Sequence, residues 1–124
     1  DLRRGRVLVV DDSAVTRLLL TSALEEDYEV FQAVHGNEAL KVLQSTPIDL
    51  VLTDVQMPVM DGIELLRSIR NHASLRDLPV VILTSMNQPQ EQQLGLDYGA
   101  NAYLLKQEFD RETLTETIER WLTC

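Results

Sequence analysis

The sequence predicts an α/β domain built on one doubly wound, five-stranded parallel sheet, and three observations carry that reading. Short β-branched apolar runs alternate five times with longer stretches of helical periodicity. The short runs are apolar at successive positions, as in RVLVV at 6–10, which suits strands covered on both faces. At 124 residues there is room for one such layer and little for a second domain. Right-handed crossovers then wind the helices over both sides of the sheet.

The first strand is Arg6–Val10, behind a short linker over 1–5, and it ends at Asp11. A helix follows from Ser13 to Glu26. Ser13 is placed to cap it, and Val15, Leu18, Leu19 and Ala23 recur at helical spacing, so the Leu and Val residues between 15 and 24 are expected in the core. Glu29–Ala33 reads as the second strand, Gly36–Gln44 as a helix, and Asp49–Thr53 as a third strand stopping at Asp54. A turn holding Pro58 and Gly62 leads into a helix over Gly62–Asn71. Pro79 opens the strand Val80–Leu83, which stops at Thr84. Pro89 suits a first helical turn and starts a weak helix through Tyr98. Asn101–Leu105 is the fifth strand, stopping at Lys106. Asp110 caps a last helix to Leu122, with Phe109 and Trp121 as packing residues.

Composition narrows the function. The apolar and charged fractions, 44% and 25%, are those of a globular protein. No run approaches the roughly 18 apolar residues of a membrane span. A net charge of −9 argues against direct binding of nucleic acid, which calls for clustered Lys and Arg. The single cysteine, Cys124, makes neither an internal disulfide nor a zinc site, so a reducing, cytoplasmic setting is expected. The chain starts at Asp1 and stops after a helix-like stretch, so residues 1–124 are expected to be one domain of a longer protein.

Polar residues stand where strands end: Asp11 and Asp12, Asp54, Thr84 and Lys106. In an open α/β sheet, ligands bind beyond the carboxyl ends of the strands, near the switch in strand order. With the order 2-1-3-4-5, these five residues line one crevice. For any one acid alone, a turn-forming role is the simpler reading; the conjunction is what points to a site. Three carboxylates this close repel strongly, each pair at about 5 Å by roughly 3 kcal/mol at an effective dielectric near 20. One acid is then held protonated, or a cation neutralises them. Oxygen donors without His or Cys favour a hard ion, Mg²⁺ or else Mn²⁺.

The motifs VLVVDDS (7–13), DLVLTDVQMPVMDG (49–62), VVILTS (80–85) and GANAYLLK (99–106) resemble the receiver domains of bacterial response regulators over nearly the whole chain. The resemblance implies a flavodoxin-like, CheY-like (βα)5 fold, and the order 2-1-3-4-5 is familiar from that family rather than deduced from these residues. It implies that Asp54 accepts a phosphoryl group from a phosphohistidine. It further implies that Asp12, Asp54 and the Gln56 carbonyl bind Mg²⁺ directly, with Asp11 acting through water. Thr84 and Lys106 would contact the phosphoryl oxygens, and Tyr103 would be the aromatic switch residue beneath an α4–β5–α5 output face. The domain itself would only self-phosphorylate and slowly self-dephosphorylate. Many receivers follow the lysine with a cis proline. Here Gln107 follows, and because a non-proline cis bond costs about 3 kcal/mol the geometry at Lys106–Gln107 stays open. The stretch YLLKQEFDRETLTETIERWL is similar to receivers at the C-terminus of CheA-like hybrid histidine kinases, the favoured parent. Stand-alone and transcription-factor-linked regulators are the alternatives. The implied partners are a histidine kinase or phosphotransfer domain and an output protein, with no nucleic acid or membrane. Gln56 and Met86 would flank the route of a hydrolytic water; apolar Met86 would impede it and lengthen the signal.

Other readings have less support. His35 and His72 sit at helix ends, and His72 is explained by a cation's preference for a helix C-terminus. No G-x-G-x-x-G or Walker-type loop follows a strand. An aspartate-nucleophile phosphatase needs Asp-x-Asp, whereas Asp11 and Asp12 are adjacent and should diverge. A phosphorylation-independent scaffold of the same fold would not need the intact acidic set.

Overall fold

The computed structural model describes residues 4–55, 57, 60–85, 89–107 and 110–122, apart from the side chains of Pro89 and Glu91. Five strands, β1 (Arg6–Val10), β2 (Glu29–Ala33), β3 (Leu50–Thr53), β4 (Val80–Thr84) and β5 (Ala102–Leu105), alternate with five helices. The helices are α1 (Ala14–Leu24), α2 (Gly36–Ser45), α3 (Gly62–Asn71), α4 (Pro89–Asp97) and α5 (Arg111–Leu122). The strands form one sheet in the order β2-β1-β3-β4-β5, and every pair is parallel.

Alternation along each strand builds two cores. Leu8, Val10, Val51, Val80 and Ile82 face one way and pack with Ala39 and Leu43 of α2 and Leu65, Leu66 and Ile69 of α3. Val7, Val9, Leu50, Leu52, Val81 and Leu83 face the other way and pack with Leu20 and Leu24 of α1 and Leu114 and Ile118 of α5. Strands buried on both faces need apolar residues at every position, which is why their sequences show no alternation.

Side-chain caps fix where helices begin. Ser13 Oγ accepts the Thr16 N–H at 3.3 Å, Asp61 Oδ1 accepts that of Glu64 at 2.9 Å, and Asp110 Oδ1 accepts that of Thr113 at 2.8 Å. His35 Nδ1 accepts the Glu38 N–H at 3.2 Å, which gives that residue a capping role. His72 Nδ1 accepts the Ser74 N–H at 3.3 Å in the turn that follows α3.

Helix α1 corrects one expectation. Val15, Leu18 and Leu19 are not core but 69%, 65% and 61% exposed, while Leu20 and Leu24 are buried. The sequence AVTRLLLTSAL carries two apolar stripes, and only one can face the sheet. The Ser13 cap and an Arg17 contact to the Asp11 carbonyl at 2.7 Å set the helical phase that selects Leu20 and Leu24. Trp121 packs partly against the α1–α5 side as expected, whereas Phe109 and Cys124 lie outside the described residues.

Candidate functional site: the acidic strand-end crevice

Asp11, Asp12, Asp54, Thr84 and Lys106 stand at the carboxyl edge of the sheet, whereas Tyr103 lies within β5. Asp11 follows β1 and is 2% exposed. Its N–H donates to the Ala33 carbonyl at 3.1 Å, and its Oδ1 accepts the Ser13 N–H at 2.8 Å. Asp12, one residue on, is exposed where Asp11 is buried, yet the two acids do not diverge as expected, because each brings a carboxylate oxygen to the same cluster. Asp54 follows β3 with its N–H donated to the Val10 carbonyl at 2.9 Å and its Oδ1 accepting the Val55 N–H at 2.7 Å. One carboxylate oxygen from each of Asp11, Asp12 and Asp54 lies within 4.8 Å of the others.

Lys106 closes the crevice from β5. Its backbone N–H donates to the Thr84 carbonyl at 2.8 Å. Its Nζ lies 2.7 Å from Asp11 Oδ2 and 2.9 Å from Asp54 Oδ2. The chain thus supplies a cation of its own to two of the three acids, a pairing the sequence did not reveal. Burial pushes the Asp11 carboxyl above its usual range, partly offset by Lys106 and the Ser13 amide. Burial pulls the Lys106 ammonium down, yet the two carboxylates outweigh it and hold it above an ordinary lysine.

Gly62 makes the β3–α3 corner possible. A Cβ there would sit 2.0 Å from the Asp54 carbonyl oxygen, and the Gly62 N–H donates to the Val55 carbonyl at 2.9 Å. Thr84 is fully buried. Tyr103 pairs with Ile82 in register, two residues before Thr84, which puts Tyr103 and Thr84 on the same face of the sheet. The Tyr103 ring lies over Gly95 of α4, 3.6 Å from where a Cβ would be. No cis peptide occurs among the described residues, so Lys106–Gln107 is trans. Gln56 and Met86 lie outside the described residues.

The donor set fits a small hard cation. Octahedral ligands at about 2.1 Å stand roughly 3–4 Å apart, so oxygens that lie within 4.8 Å of one another reach ligand spacing by closing less than about 2 Å. Asp12 is exposed, so the waters such an ion keeps can reach the cluster from its side.

Residues 7–119 match the family model of the response regulator receiver domain. The chain is 42% identical over 121 residues to a gliding motility regulatory protein of Myxococcus xanthus, covering 95% of this chain and 15% of that protein. It is 38% identical over 119 residues to the CAI-1 autoinducer sensor kinase/phosphatase CqsS of Vibrio cholerae, covering 94% of this chain and 17% of that one. The solved structure of the chemotaxis response protein CheY4 of Vibrio cholerae superimposes with a TM-score of 0.88 at 37% identity, over 95% of this chain and 98% of that one. A match that runs from the first strand into the last helix, on a sheet of the same order, is a match of the whole domain: the chain belongs to the response regulator receiver domains of two-component signalling.

Proposed function

We propose that this receiver takes a phosphoryl group from a phosphohistidine onto Asp54, aided by Mg²⁺ (or Mn²⁺), and that the change alters its α4–β5–α5 surface. The observation that carries the reading is the Asp54 carboxylate held by Lys106 at 2.9 Å and by the Val55 amide at 2.7 Å, at a mouth shared with Asp11 and Asp12. Those contacts fix the carboxylate for in-line attack: an oxygen–phosphorus bond forms as the phosphorus–nitrogen bond to histidine breaks, and the histidine ring leaves with its electron pair. Negative charge builds on three phosphoryl oxygens, which Lys106 can follow from the carboxylate it already holds. Thr84 supports the same oxygens, and its displacement toward them makes room for Tyr103 on the same face. Asp12, Asp54 and the Gln56 carbonyl would hold Mg²⁺, with Asp11 acting through water, and the ion would supply charge neutralisation.

The donor is read as a histidine kinase or phosphotransfer domain. The exposed Val15, Leu18 and Leu19 begin three residues after Asp12, an apolar surface on the rim of the acceptor site that suits a helical partner. A chemotaxis-type hybrid histidine kinase in the cytoplasm is the parent this reading favours, in keeping with the sensor kinase among the relatives. Acetyl phosphate with MgCl₂ should add one hydroxylamine-sensitive phosphate by intact mass, and Asp54→Asn should add none. Equal labelling of the variant would move the acceptor to another carboxylate.

A further inference from the structure

Arg17 is drawn into the corner between β1 and α1. Its Nη1–H donates to the Asp11 carbonyl at 2.7 Å, and its Nε–H donates to Gln32 Oε1 at 3.2 Å. One side chain therefore ties α1, the loop bearing both acids, and the edge strand β2. The Asp11 carbonyl and the Asp12 amide share one rigid peptide plane, so a bond that pins the carbonyl pins the plane. That plane sets the direction in which Asp12 leaves the loop. Among the described residues, nothing holds the Asp12 carboxylate itself: Asp11 has Ser13 and Lys106, Asp54 has Val55 and Lys106, and Asp12 has backbone alone.

We propose that Arg17 is a positioning residue for the acidic pair, aiming the Asp12 carboxylate at the cation position by fixing the Asp11–Asp12 peptide. The proposal rests on the reading that Asp12 ligates Mg²⁺. The fork matters more than the charge. A lysine keeps the charge but offers a single ammonium in place of the rigid fork that spans the Asp11 carbonyl and Gln32.

The test is calorimetric titration of the full chain with MgCl₂ alone, beside thermal melts, for wild type, Arg17→Gln, Arg17→Lys and Gln32→Leu. Arg17→Gln is expected to weaken Mg²⁺ binding by about tenfold, as loss of a group that orients a ligand does. Arg17→Lys should lose nearly as much, and Gln32→Leu less. Unchanged affinity in a folded Arg17→Gln protein, or full rescue by lysine, overturns the proposal, because a residue that only fastens α1 would lower the melting temperature alone. If wild type itself takes up no Mg²⁺, the metal reading fails separately. Amide exchange at 12–14 in the metal-free protein then decides Arg17: faster exchange in Arg17→Gln supports the aiming role, and equal exchange removes it.

Discussion

Lys106 touches Asp11 and Asp54 at once, and the pH response of the site follows from that contact. Asp11 is raised from 3.8, so its share of stability is present below that value and lost as pH climbs through its folded value. Lys106 is raised from 10.5, so its share is present below 10.5 and lost as pH rises through its folded value. Lys106→Met leaves two facing carboxylates. It should lower stability by about 2 kcal/mol at pH 7, less than for a fully buried pair because the Lys106 side chain is 22% exposed. Urea unfolding across pH should show the gap present below 10.5 and closing as pH rises through the folded value of Lys106; a gap that stays constant through that rise contradicts the shared-cation account. Gly62→Ala sets a Cβ against the Asp54 carbonyl, which cannot yield, and should cost about 3 kcal/mol in the same assay. The polar residues at strand ends were legible because a turn-prone acid after an apolar run is visible in one dimension. Their partners were not. Arg17 stands six residues after Asp11, and no rule of spacing distinguishes a guanidinium folded back on a carbonyl from one in solvent.

Elements were legible wherever one pattern had one solution. The strands β1, β3 and β4 read as apolar runs because both faces are covered, and α3 was bounded by its turn on one side and loss of period on the other. Helix α1 had two solutions, and periodicity alone chose the stripe that faces solvent. That stripe is the basis of an expected separation of function. Leu18→Glu should alter stability by no more than about 0.5 kcal/mol, since Leu18 is 65% exposed. It should leave labelling by acetyl phosphate intact and slow transfer from a phosphohistidine protein, and equal slowing with both donors would take the docking surface away from α1. Helix α4 is the weakest element. Gly95 in its interior costs about 1 kcal/mol relative to alanine, and Leu94 and Leu96 on either side are 44% and 47% exposed. The same glycine lets the backbone approach the Tyr103 ring, so low helix stability and the proposed switch residue coincide.

At the scale of the molecule, the sheet is fastened at both ends of β5. Beyond its carboxyl end Lys106 grips the acids. Before its amino end Arg70 of α3 donates to the Gly99 carbonyl at 2.7 and 3.1 Å, to the Leu78 carbonyl at 2.6 Å and to Asn101 Oδ1 at 2.9 Å. Arg70→Met strands those acceptors and should cost about 2–4 kcal/mol in urea unfolding. A cost below 1 kcal/mol would mean that water replaces the guanidinium readily. Strand order also decides who can be present together. Helix α1 lies by β1 and β2, whereas α4 lies by β5, three strand spacings or about 14 Å from β1. On the proposed function, a donor on α1 and a reader whose contacts stay on α4 have separate footprints, whereas the α5 part of the output face packs beside α1. Charging then does not wait for the reader to dissociate, and a reader held in place by a covalent tether would sense each arrival of phosphate without a binding step of its own.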